Sequence, residues 1–154
     1  LRFQPVASDL RRVVSAMKLS PNIERVADQA TNIARRARKL NRHPPLPEIE
    51  LIVPLRDHAM SMFRDSVDAY VREDAELGRA VVQRDAELDE LNRKAGRQFI
   101  QRMAEDPDQL RGYLNLMFIA RHLERVGDHA TNIAEDAVYA AAAEDIRHQT
   151  VAGT

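Results

Sequence analysis

The chain has 154 residues, 44% hydrophobic and 31% charged, with 23 basic against 24 acidic side chains and a formal net charge of −1. That is enough for one compact domain with a continuous core, and the balance excludes a disordered chain. A charge so close to zero supplies no global field toward nucleic acid or an anionic membrane, no apolar run approaches the roughly 20 residues that span a bilayer, and the lack of cysteine excludes disulfides and thiolate metal sites.

Alanine, leucine, glutamate and arginine dominate, and no strand-length stretch alternates apolar with polar residues, so the fold class is all-α. No secretory signal is visible, and the opening on Leu1 inside a polar, helix-like segment predicts a start further upstream. A first helix opens at Pro5 with the stripe Val6, Leu10, Val13, Met17. Pro21 interrupts it, either as the first residue of a new helix or as a kink in one long helix. The internal repeat described below favours the kink, with an end near Leu40 before Pro44 and Pro45. Residues 43–47 are a breaker-rich connection.

A second helix is predicted from residue 48 or 49 to 72, bent at Pro54, with Leu51, Leu55, Met62, Val67 and Tyr70 among its apolar residues. A break over 73–78 leads to a third helix ending near Met103, its stripe being Leu77, Val81, Leu88, Leu91, Ala95 and Phe99. Asp106 and Pro107 form a cap-plus-proline start for a fourth helix reaching about residue 143. Its stripe is Leu116, Ile119, Leu123, Val126, Ala130, Ile133 and Ala137, and the polar tail 145–154 is expected to fray.

Residues 24–34 read ERVADQATNIA and residues 124–134 read ERVGDHATNIA, nine identities in eleven positions at an offset of one hundred. Leu10, Arg11, Met17 and Ala37 keep the register with Leu110, Arg111, Met117 and Ala137. Two equivalent units are therefore expected. The second has two helices before its motif helix and the first has none. Residues 1–43 read as a remnant of one repeat, the motif helix only, and residues 44–154 as a complete second repeat.

Glu24, Asp28 and Asn32, like Glu124, Asp128 and Asn132, are spaced i, i+4, i+8 and share one helix stripe, nearly opposite Val26, Ala30 and Ile33 in the first copy. Like charges at i, i+4 cost a helix about 0.2–0.5 kcal/mol, which a nearby arginine or hard cation would offset. Asp85 and Asp89 repeat the spacing on the third helix. If that helix runs antiparallel to the fourth, Asp85, Asp89, Glu124 and Asp128 converge as a possible metal site. Solvated faces are the competing reading, with Asp89–Arg93 and Glu90–Lys94 as ordinary surface pairs. The small residues at 27, 30 and 34 and at 127, 130 and 134 suit close helix packing. His122 and His129 read as packed or surface residues, and the residue three after Glu124 is Gly127, so the Glu-x-x-His of di-iron bundles is missing. After the first motif come Arg35, Arg36, Arg38 and Lys39, and after the second Glu135 and Asp136. The basic run complements a helix C-terminus or marks a surface for an acidic partner.

The two ERV-x-D-x-ATNIA copies, with Asp85 and Asp89 on the preceding helix, resemble the signature of the phosphate uptake regulator (PhoU) family over almost the whole chain. The resemblance implies two three-helix bundles, here one complete bundle plus a single helix of the first. It implies a non-catalytic cytoplasmic regulator that represses the phosphate-starvation response, acting between a phosphate ABC-transporter ATPase and a sensor histidine kinase. It also implies surface metal ions, with Glu24, Asp28, Asp85, Asp89, Glu124 and Asp128 as ligands and Fe, Zn, Mg or Mn as the ion. A homodimer is expected, because the stripe on the first helix lacks its bundle partners. No direct nucleic-acid contact or membrane insertion is expected. A di-metal carboxylate enzyme and a regulatory module of another transporter are the alternatives.

Overall fold

The computed structural model describes residues 7–143 and 146, with side chains from Asp9 onward. Pro5, Val6 and the tail 145–154 apart from Ile146 lie outside the described residues. Among the described residues every secondary-structure element is a helix: α1 (Ala7–Leu40), a 3-10 helix (Pro47–Leu51), α2 (Ile52–Arg72), α3 (Ala75–Gln83), α4 (Asp85–Glu105), a 3-10 helix (Pro107–Gln109) and α5 (Leu110–Ala142). The helix α1 runs unbroken through Pro21. Proline removes one backbone donor and crowds the carbonyl four residues earlier. Here Pro21 and Met17 are exposed, so water reaches that side, and Asn22 Nδ2 donates to the adjacent Lys18 carbonyl at 3.1 Å.

The predicted second helix opens as a 3-10 helix, and Pro54 sits in the first turn of α2, where its missing N–H costs nothing, so no bend is needed there. Glu73 closes α2 in the left-handed region (φ 53°), and Asp74 caps α3, its Oδ1 accepting from the Leu77 amide at 3.0 Å. The expected break over 73–78 is thus confined to two residues. The predicted third helix is divided at Arg84, whose own amide bonds the Val81 carbonyl in a tight turn. Side chains of α2 hold this turn: the His58 ring contacts the Arg84 carbonyl at 3.0 Å, and the Arg84 guanidinium donates to Asp65 (2.6 Å) and Ser61 (3.1 Å). The Asp106 side chain makes no capping bond, so the fourth helix begins through Pro107 and a 3-10 turn instead.

The central element is α5. It packs against α1 on one side and against α2, α3 and α4 on the other. All seven residues of its predicted stripe are buried. Leu55, Ala59 and Met62 of α2, Val81 of α3, and Leu88, Ala95 and Phe99 of α4 complete the core. Leu46 anchors the first connection over Gly112, where a Cβ would lie 2.8 Å from Leu46 Cδ1. Glu48 then accepts from Tyr113 Oη (3.0 Å) and pairs with Arg102 (2.6 Å). This is one complete three-helix bundle, with α3 and α4 as its divided middle helix, plus one further helix laid on α5.

A carboxylate cluster at the α4–α5 seam

The close approach of α4 to α5 begins at Gly127. A Cβ there would collide with Leu88 Cδ2, so the glycine lets Leu88 seat fully against α5. Asp85 lies one turn before Leu88 and Asp89 directly after it, and this seating turns both toward Glu124, Asp128 and Thr131. The Thr131 hydroxyl donates to Asp85 Oδ1 at 3.2 Å. Thr131 was visible only as part of the repeated motif; its pairing with Asp85 depends on the seam.

The electrostatics record the convergence. Asp85, Glu124 and Asp128 all have pKa values raised above their ordinary range, first by partial dehydration in the seam and then by neighbouring carboxylates. Asp89 raises Asp85; Asp128 and Asp89 raise Glu124; Asp85 and Asp89 raise Asp128. The Thr131 bond works the other way on Asp85, and Arg121 and Arg125 on Glu124. Since the folded values lie above the unfolded ones, the cluster costs stability at pH values above them. That cost disappears as pH falls through the folded values. A cation would remove it at neutral pH.

Among the described residues, no three acidic or imidazole side chains stand in an arrangement that could already hold a metal ion. The four carboxylates are near enough to feel one another's charge without being gathered at ligating distance. Their chemistry fits a hard cation such as Mg, Mn or iron, which takes carboxylate oxygens, better than it fits zinc, which favours imidazole and thiolate. Asn132 belongs elsewhere: it lines a groove of about 330 Å³ together with Met17, Lys18 and Pro21 of α1. Each i, i+4 step rotates by about 40°, so the third member of the stripe drifts away from α4.

The first copy is arranged differently. Glu24 is exposed on α1 where Glu124 is half-buried, Asp28 is exposed as Asp128 is, and Ala27, Ala30 and Ala34 are exposed too, so the small residues expected to serve close packing do so only in α5. Val26 and Ile33 are the hydrophobic residues of that copy that pack against the core, and Gln29 between them is buried against α5. The surface pairs expected on α4 are also rearranged. Glu90 pairs with Arg93 (3.2 Å) and Arg97 (3.1 Å), while Arg93 Nε donates to the Asp89 backbone carbonyl at 3.4 Å.

Helices α1 and α5 run antiparallel. His122 Nδ1 donates to Gln29 Oε1 at 2.8 Å, and His129 Nδ1 to Asn22 Oδ1 at 3.2 Å. Under the offset of one hundred these two bonds map onto each other, so the repeat copies are related by a pseudo-two-fold axis across the seam. Both histidines are packed at an interface, and both pKa values are lowered, first by burial and then by nearby arginines, against which Asp128 acts at His129. The polar partners Gln29 and Asn22 carried no individual signal in the sequence.

The PhoU domain profile matches residues 1–37 and 52–137. The phosphate-specific transport system accessory protein PhoU homologue of Pseudomonas putida is 40% identical over 148 residues, 96% of this chain and 58% of that protein. The homologue of Aquifex aeolicus is 36% identical over 149 residues, 97% of this chain and 67% of that protein. The crystal structure of PhoU from Pseudomonas aeruginosa superposes with a TM-score of 0.89 at 36% identity, covering 93% of this chain and 69% of that one. The chain thus spans about three fifths of the length of its Pseudomonas relatives. With the profile covering most of the chain and these relatives matching more than nine tenths of it, the chain belongs to the PhoU family.

Proposed function

We propose that the chain is a non-catalytic negative regulator of phosphate uptake and phosphate-starvation signalling. In this reading it works in the cytoplasm as an adaptor between the ATPase of a phosphate ABC transporter and a sensor histidine kinase. The observation that carries the reading is the match of the PhoU domain profile over most of the chain, together with relatives whose names describe accessory proteins of phosphate-specific transport. No described helix is long and apolar enough to cross a membrane, which accords with a regulator that meets its transporter from outside the bilayer. Deleting the gene should raise alkaline phosphatase activity in phosphate-rich medium, and re-expression should restore repression. Unchanged phosphatase activity in the deletion strain would sink the adaptor role.

The same reading includes a metal ion at the α4–α5 seam. Asp85, Asp89, Glu124 and Asp128 would hold it, and Glu24 and Asp28 would offer half of an equivalent site on α1. The bound ion would neutralise crowded carboxylates and tie α4 to α5. This chain's own residues supply the rest: Leu88 on Gly127 sets the approach, and Thr131 orients Asp85. A cation that binds the folded arrangement raises the melting temperature. Mg, Mn or iron should therefore raise it in the parent protein, and Asp128→Asn should diminish that shift more than Asp28→Asn. Thermal melts with each metal and with Zn, alongside metal analysis of protein purified without chelator, test this. An unshifted melt together with metal-free protein would leave the stripes as solvated or partner-binding faces.

A further inference from the structure

The pseudo-two-fold axis relates the two ends of the α1–α5 pair, and the two ends differ in charge. At one end Asp136 is buried and pairs with Lys18 at 3.6 Å. The equivalent position at the other end is Arg36, and the residue equivalent to Lys18 is Phe118. The Arg36 guanidinium lies 3.9 Å from the centre of the Phe118 ring, with Asn115 Oδ1 at 3.5 Å. The carboxylate at the first end therefore has its counterion within the fold, while the cation at the second end rests on an aromatic face. Around it, Lys39, Arg42 and Arg111 line a groove of about 380 Å³ with Leu114 and Phe118. Among the described residues none of these four cations forms a salt bridge.

Helix electrostatics account for part of this charge. Arg38 and Lys39 occupy the last turn of α1, where a cation complements the helix dipole. Arg111 does not fit that explanation. It lies in the first turn of α5, at the positive end of the dipole, and that turn contains no acidic residue. Two helix ends thus bring cations to one groove, one of them against its own dipole. Beside it, Leu114 and Phe118 are 39% and 40% exposed. They also border a second hollow of about 240 Å³ with Gly96 and Met117.

We propose that this basic groove docks an acidic polypeptide segment carrying apolar side chains. Its carboxylates would meet Arg36, Lys39, Arg42 and Arg111, and its apolar residues would cover Leu114 and Phe118 and enter the neighbouring hollow. Charge complementarity identifies the class of occupant, and the exposed apolar ridge distinguishes it from a simple oxyanion, which has no use for one. A second copy of the chain is a poorer match, because the equivalent acidic end already holds its Asp136 against Lys18.

The test is fluorescence anisotropy of a short labelled glutamate-rich peptide bearing phenylalanine and leucine, titrated with the full chain. Saturable binding that weakens steeply with salt is expected. Lys39→Glu, Arg42→Glu, Arg111→Glu and Phe118→Ala should each weaken it about tenfold, and Arg64→Glu on α2 should leave it unchanged. In the unaltered chain, amide shifts on peptide addition should fall at the end of α1 and the start of α5, independent of how any variant folds. The proposal is overturned by no saturable binding up to about 1 mM. It is equally overturned by equal loss in Arg64→Glu, by shifts elsewhere, by full displacement with inorganic phosphate, or by self-association that the same charge reversals abolish.

Discussion

The two motif copies share nine of eleven residues yet occupy different surroundings. In α5, Ala130 and Ala134 are completely buried and Val126 nearly so. In α1, the equivalent Ala30 and Ala34 are exposed and Val26 is half-buried. The difference continues toward the N-terminus. Tyr113 is buried, whereas Val13 is 55% exposed, and Leu123 is buried, whereas Ile23 is 41% exposed. Every one of these contrasts has the same cause. The helices α2, α3 and α4 pack on the face of α5 that points away from α1, and the described chain places no such layer on α1. A helix sequence specifies a face, and the burial of that face is a property of what packs on it.

The contrast can be broken by placing one substitution at both equivalent positions. Ala130→Glu puts an unpaired charge into the core and should cost about 3–5 kcal/mol. Ala30→Glu, on an exposed helix surface, should change stability by no more than about 0.5 kcal/mol. Urea unfolding followed by circular dichroism measures both, and similar costs would show that α1 is covered in solution.

A smaller effect concerns Tyr113, whose counterpart Val13 has nothing to bind. Burial on its own would raise the Glu48 pKa, but its backbone bond, Tyr113 and Arg102 together hold it below the usual carboxylate range. With the folded value below the unfolded one, Glu48 contributes stability at pH values above about 4.3. That contribution is lost as pH falls through the lower folded value. Tyr113→Phe removes one of its bonds and should cost about 1 kcal/mol at neutral pH. It should also flatten the fall in stability below about pH 4.3. An acid titration of stability that is unchanged by the substitution would show that the Tyr113–Glu48 bond contributes nothing.

The smallest effect on the monomer is the largest on assembly. Leu10, Val13 and Met17 are 54%, 55% and 72% exposed along one stripe of α1. A stripe of this kind promotes association, and a second copy of the chain offers the same surface for a two-fold contact. Light scattering should find a dimer at micromolar concentration, and Val13→Glu with Met17→Glu should give a monomer of unchanged melting temperature. A parent chain that stays monomeric would require the stripe to be tolerated in water.

Much of this was legible before the fold. The buried stripe of α5 follows from periodicity and the passage of α1 through Pro21 from the internal repeat, whereas Asp85 and Asp89 approach Glu124 and Asp128 only once α4 pairs antiparallel with α5, which spacing along the chain does not fix. The division of α3 from α4 is not fixed by spacing either, because His58, Ser61 and Asp65 of another helix hold the turn at Arg84. Asn132 lies off the seam because a four-residue step overshoots one turn by about 40°, and the excess accumulates along the stripe. The basic groove was half visible: Arg36 and Lys39 stood in the sequence as a charge run, while Arg111 and Phe118 joined them only across the α1–α5 seam.

The sequence by itself determined the helical class, the duplication, the residues that share each helix face and the charges at each helix end, because these depend on spacing along one chain. Only the tertiary structure decided which of two nearly identical faces is buried, which carboxylates approach one another and which cations form no salt bridge among the described residues. Those outcomes depend on packing and Coulomb interactions between segments far apart in sequence, and near-identical local sequence leaves them open.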